Sequence, residues 1–182
     1  MPKGLPRVTE VLRGVGLIDM SHVPVDILDR ALKFGTALHK ACELNDLGTL
    51  DFKTLSNPLI PYLASWQNFV RDYKITFKPE EIERQLISKR GFKGTPDRFT
   101  MVNRKFTIID LKSSTAMTSA TALQLAAYQI LAEENIDQKV KQRLGVQLTE
   151  TGVYKITNYT KMSDMTVFLS CLNLYVWKKE NL

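Results

Sequence analysis

The chain has 182 residues, of which 44% are hydrophobic and 24% charged, and it carries a formal net charge of +6. That length is one domain able to bury roughly 70% of its unfolded surface, and the positive excess suits a polyanionic partner. Two isolated cysteines, Cys42 and Cys171, exclude a cysteine zinc site or an iron–sulfur cluster, and no apolar run is long enough to span a bilayer. With no apolar signal core at the N-terminus, the expectation is an intracellular protein with no membrane partner.

In chain order, residues 7–17 predict a short helix, with Thr9 as a candidate cap and Val8, Val11, Leu12 and Val15 at helical spacing. Pro24 opens a second helix that runs to about Asn45 with Ile27, Leu28, Leu32, Leu38 and Leu44 on one side. A third helix over 58–73 carries Leu59, Tyr62, Leu63, Trp66, Phe69 and Val70 as a core stripe. The period then changes, and three antiparallel strands are expected at about 81–88, 92–102 and 105–111, with a hairpin turn at 103–105. Residues 117–134 return to a helical pattern, 140–148 and 152–159 read as two more strands, and 162–178 as a closing helix. No repeat or linker divides the chain. It reads as a single α/β domain over 1–182: a mainly helical part at 1–78, a sheet with a crossover helix at 79–160, and a C-terminal helix at 161–182. A strand meander followed by a helical crossover predicts a mixed central sheet flanked by helices.

Four D-x-K triplets occur, at 51–53, 72–74, 110–112 and 137–139. The one at 110–112 ends the apolar run Phe106-Thr107-Ile108-Ile109, so Asp110 and Lys112 share a face about 7 Å apart at the end of a buried strand. A rim salt bridge explains that pair as well as chemistry does. Asp97 changes the weighing. Counted back from the hairpin turn, it falls near the level of Asp110, and two adjacent carboxylates repel unless a cation or proton lies between them. A hard dication with oxygen ligands is the natural occupant. The plain alternative for Asp97 is a turn aspartate after Pro96. Glu83 offers a third carboxylate, with Glu81 as its rival, and His39 lies late in a helix after Gly35. Gln124 and Tyr128 are i,i+4 on one helix face.

These residues resemble the PD-(D/E)XK nuclease superfamily, and within it the RecB-like exonuclease branch. The pattern G-x-x-x-H, Glu, G-x-x-D, D-x-K and Q-x-x-x-Y falls on Gly35 and His39, Glu83, Gly94 and Asp97, Asp110 and Lys112, and Gln124 and Tyr128. The opening Leu5-Pro6-Arg7-Val8-Thr9-Glu10-Val11-Leu12 is similar to the start of phage-encoded members. The resemblance implies a restriction-endonuclease-like core with an N-terminal helical region. It implies a DNA exonuclease dependent on Mg²⁺ or Mn²⁺, in one or two ions. Asp97, Asp110, Glu83, His39 and the Leu111 carbonyl are its expected metal site. Lys112, Gln124 and Tyr128 join the carboxylates as expected catalytic residues. Ser113, Ser114, Thr115, Lys93, Arg98, Gln124 and Tyr128 are the expected contacts to DNA, with a recombination or single-strand-binding protein as a further partner. A structure-specific endonuclease of the same fold and a silent nucleic-acid-binding subunit are the alternatives.

Overall fold

The structure is a computed structural model that describes residues 4–113 and 118–182. The N-terminal helix α1 spans Val8–Gly14, shorter than expected. Thr9 lies inside it, and the start is closed instead by Glu10, whose carboxylate accepts the Arg7 N–H at 2.8 Å. Helix α2 (Val25–Asp46) enters after Pro24. Helix α3 (Ile60–Asp72) follows a 3₁₀ turn at Asn57–Leu59.

The expected strand at 81–88 is mostly absent. Pro79–Glu81 forms a 3₁₀ turn, Ile82 makes a lone antiparallel bridge to Arg98, Glu83 takes a left-handed conformation (φ 46°), and the strand itself is reduced to β1 (Leu86–Ile87). The expected strand at 92–102 is split by Thr95-Pro96 into β2 (Lys93–Gly94) and β3 (Arg98–Val102). Proline lacks the N–H that a continuous ladder needs. Strand β1 pairs with β2 apart from the main sheet.

The main sheet has the order β3-β4-β5-β6, with β4 at Lys105–Lys112, β5 at Gln142–Leu148 and β6 at Tyr154–Asn158. The β4–β5 pairing is parallel and the others are antiparallel. A parallel pair requires a crossover, which α4 (Ser119–Asn135) provides. Helix α5 (Ser163–Asn181) closes the fold. A two-residue turn at Asn103-Arg104, with φ of 48° and 62°, joins β3 to β4. Positive φ at both positions is what a type I′ hairpin turn demands.

Both faces of the sheet are covered. Phe99, Phe106 and Ile108 pack with α1, α4 and α5 through Val11, Leu12, Leu125, Leu131, Phe168 and Leu172. Val102, Ile109, Leu111, Leu144 and Val146 pack with α2 and α3 through Leu38, Cys42, Leu63, Trp66 and Phe69. Helix α4 has buried residues all round, which explains its weak amphipathic pattern. Helix α2 does the opposite. Only Leu38, Ala41 and Cys42 of its C-terminal half are buried, while Ile27 and Leu32, expected in the core, are 50% and 59% exposed. Among the described residues no helix is long and apolar enough to cross a membrane.

Candidate active site

Strand parity builds the site. On β4, Phe106 and Ile108 face α4, so Asp110 and Lys112 continue that face beyond the apolar core. The hairpin pairs Arg98 with Ile109, which sets Asp97, one residue before, level with Asp110. Both aspartates are buried. The Leu111 N–H donates to Asp97 Oδ2 at 2.6 Å, tying the two strand ends together.

Lys112 Nζ lies 2.9 Å from Asp110 Oδ2 and donates to Asp110 Oδ1 at 3.1 Å. It also reaches Gln124 Oε1 at 3.4 Å, and the Gln124 amide donates to the Tyr128 hydroxyl at 3.0 Å. From the other side α2 delivers His39, whose Nδ1 is 3.4 Å from Asp97 Oδ1 and 3.7 Å from Glu83 Oε1. His39, Glu83 and Asp97 each present a ligand atom within 4.8 Å of the others. Glu81 is engaged elsewhere: it accepts from the Lys78 N–H and from Thr100 Oγ1, both at 3.0 Å.

The electrostatics follow from burial and crowding. Burial pushes the Asp110 carboxyl up to about 6, and Asp97 adds to the rise while Lys112 opposes it. Burial acts on Asp97 too, but His39, Lys112 and the Leu111 N–H overcome it and hold the carboxyl below its ordinary range. Glu83 is raised, chiefly by burial. His39 rises to about 10 under the pull of Asp97, despite its own burial. Burial disfavours the Lys112 ammonium, yet Asp110 and Asp97 outweigh it and keep its pKa above the usual value. Glu83 Oε1 and Asp110 Oδ2 are buried without a hydrogen bond of good geometry. Unsatisfied carboxylate oxygens beside an imidazole nitrogen are a donor set that fits a divalent cation.

The site opens into a cleft of about 900 Å³. Its lining combines polar site residues, His39, Glu83, Lys112, Ser113 and Gln124, with the apolar Leu17, Ile18, Met20 and Leu32. Leu32, read from the sequence as core, is therefore a cleft wall. Gly35 also lines the cleft, and a side chain there would meet nothing within 4 Å. Gly94 has a packing reason: an added Cβ would stand 2.9 Å from Tyr128 Cε1 and from Leu131 Cδ1.

This geometry corrects two of the expected nucleic-acid contacts, Arg98 and Tyr128. Arg98 is fully buried, because parity turns it to the face opposite Asp97. Tyr128 is 5% exposed and reaches the cleft only through Gln124. Lys93 is not among the cleft residues. Ser113 lines the cleft, whereas Ser114 and Thr115 fall outside the described residues. Sequence reasoning missed Asp46, Trp66 and Phe77 as the surroundings of Arg98. The signal was available in strand alternation, since Asp97 and Arg98 are consecutive where the chain enters β3 and side chains there alternate faces.

A mixed sheet flanked by helices, with an aspartate on one strand end facing a D-x-K on the next, defines a restriction-endonuclease-like fold with an acidic centre. A profile of the PD-(D/E)XK nuclease superfamily matches residues 46–165, and the chain belongs to that superfamily. Nucleases of that superfamily use divalent metals. None of the curated proteins matches the chain. Among solved structures, one described as the crystal structure of SSO0001 is similar at 15% identity and a TM-score of 0.41. That similarity covers 65% of this chain and 57% of the other.

Proposed function

We propose that this chain is a metal-dependent deoxyribonuclease that hydrolyses DNA from its ends, in the manner of the RecB-like branch and its phage-encoded members, for recombination, repair or phage DNA processing inside the cell. The observation that carries the reading is the juxtaposition of the buried Asp97 and Asp110 with Lys112, His39 and Glu83, the last three of which line one cleft. The ordered series of five motifs supports the exonuclease assignment.

In this reading Asp97, Glu83 and His39 hold the ion, with Asp110 and the Leu111 carbonyl beside them. Two carboxylates suit Mg²⁺ or Mn²⁺, and the imidazole favours the transition ion. When bound, the ion polarises the scissile phosphate and lowers the pKa of a water. Lys112 keeps its proton because Asp110 and Asp97 stabilise its charge, so it acts as a fixed cation toward the developing phosphate charge and not as a base. Gln124 holds the lysine's aim, and the buried Tyr128 holds Gln124. Ser113 stands where a hydroxyl can donate to phosphate.

The test is degradation of end-labelled linear single- and double-stranded DNA with Mg²⁺, Mn²⁺ or EDTA, beside circular single-stranded DNA. Metal-dependent release of label from linear DNA, lost in Lys112→Met, is the expected result. Cutting of the circle reassigns the chain as an endonuclease. Binding without cleavage under every metal makes it a silent subunit.

A further inference from the structure

Behind the acidic centre, on the opposite face of β3, lies a sealed charge pair that the reaction does not use directly. The Arg98 and Asp46 side chains are each 1% exposed, and Arg98 Nε donates to Asp46 Oδ2 at 2.8 Å. The Trp66 indole N–H reaches both Asp46 oxygens, at 2.9 and 3.1 Å. The guanidinium carbon lies 5.7 Å from the ring centres of both Trp66 and Phe77. The guanidinium also touches the site: Nη1 donates to the Asp97 carbonyl and stands 3.5 Å from Glu83 Oε1. The same Asp97 carbonyl accepts the Glu83 N–H at 3.1 Å.

We infer that Asp46 is a positioning residue that restrains Arg98, so that the guanidinium aims Glu83 without saturating it. A free guanidinium next to a carboxylate closes to a short charge-assisted hydrogen bond. Here it stops at 3.5 Å, and Glu83 Oε1 is left without a hydrogen bond. Asp46 also cancels the arginine's charge beside a site meant for a cation. Both effects preserve a vacant carboxylate lone pair. Removing the Asp46 charge releases Arg98 toward Glu83 and leaves a net positive charge at the metal's back. Trp66 takes part because its N–H fixes Asp46. This inference rests on the reading of Glu83 as a metal ligand.

The experiment is calorimetric titration of the purified chain with Mn²⁺ alone, for wild type, Asp46→Asn, the double variant Asp46→Asn/Arg98→Met, and Trp66→Phe. Groups behind metal ligands typically govern affinity by 10- to 100-fold, so Asp46→Asn is expected to weaken Mn²⁺ by about tenfold or more. Raising the metal concentration should then restore much of any lost cleavage. The double variant should regain affinity over Asp46→Asn, because the cation that blocks Glu83 is gone. A purely structural role predicts the reverse, with the double variant binding no better. If Asp46→Asn does not fold, Trp66→Phe carries the test, with a smaller loss of affinity in the same direction. Unchanged Mn²⁺ affinity in either folded single variant overturns the inference. Absence of Mn²⁺ binding by wild type overturns the metal-site reading itself, and this inference with it.

Discussion

Asp97 and Arg98 are neighbours in the chain and opposites in the structure. Asp97 faces α4 and His39, among carboxylates that outnumber their partners. Arg98 faces α2 and α3, where one arginine meets one aspartate between aromatic rings. Both side chains are buried. One face carries charges in excess, and the other carries charges in balance. The comparison teaches that burial of a charge does not say what it is for. The balance of its surroundings does.

The largest test of that contrast is on activity. Asp97→Asn and Asp110→Asn should each lower cleavage by about 10²-fold or more, since each removes an electrostatic element of the centre. Thermal unfolding in EDTA should show no loss of stability for Asp110→Asn, whose carboxylate is crowded by Asp97. On the balanced face Arg98→Met should cost about 3–5 kcal/mol in urea unfolding, because it strands the Asp46 carboxylate in the interior. A mild cost there would break the comparison.

The pH dependence of the metal-free chain comes next. The folded pKa of His39 is raised from 6.5 to about 10. Its stabilisation is therefore complete below 6.5 and is lost as pH rises through 10. Asp110, raised from 3.8 to about 6, gives a contribution present below 3.8 and lost through 6. Denaturation midpoints across pH should show both declines, with His39→Gln flattening the upper one and Asp110→Asn the lower. Gly94→Ala should cost about 1–3 kcal/mol through overpacking against Tyr128 and Leu131. The smallest effect belongs to Leu32→Ser, an exposed residue of the cleft wall, within about 0.5 kcal/mol by the same unfolding assay.

Much of this was legible from residues alone. The hairpin turn, the run Phe106–Ile109 and the helix bearing Gln124 and Tyr128 each had a local signal, and the level placement of Asp97 and Asp110 follows from counting along antiparallel strands. What was not legible depends on tertiary context. Glu83 sits in a left-handed kink that no propensity announces. Ile27 and Leu32 have the spacing of a core stripe, yet both are half exposed or more, and periodicity does not say whether a face has a partner. Arg98 reads from the sequence as a contact to DNA, although its parity opposite Asp97 places it inside. Ser114 and Thr115 lie outside the described residues.

The Asn103-Arg104 turn has a consequence for how this gene can change. Its two residues fix which pair of side chains meets at the far end of the hairpin. Gain of one residue in β3 or loss of one from β4 would trade Asp97 for Arg98 at the level of Asp110, and the opposite changes would bring Pro96 there. The stretch from 97 to 110 should therefore tolerate substitutions at the exposed tip but not changes of length. In a population of variants, that hairpin would be read as a segment of constant length with a variable crown.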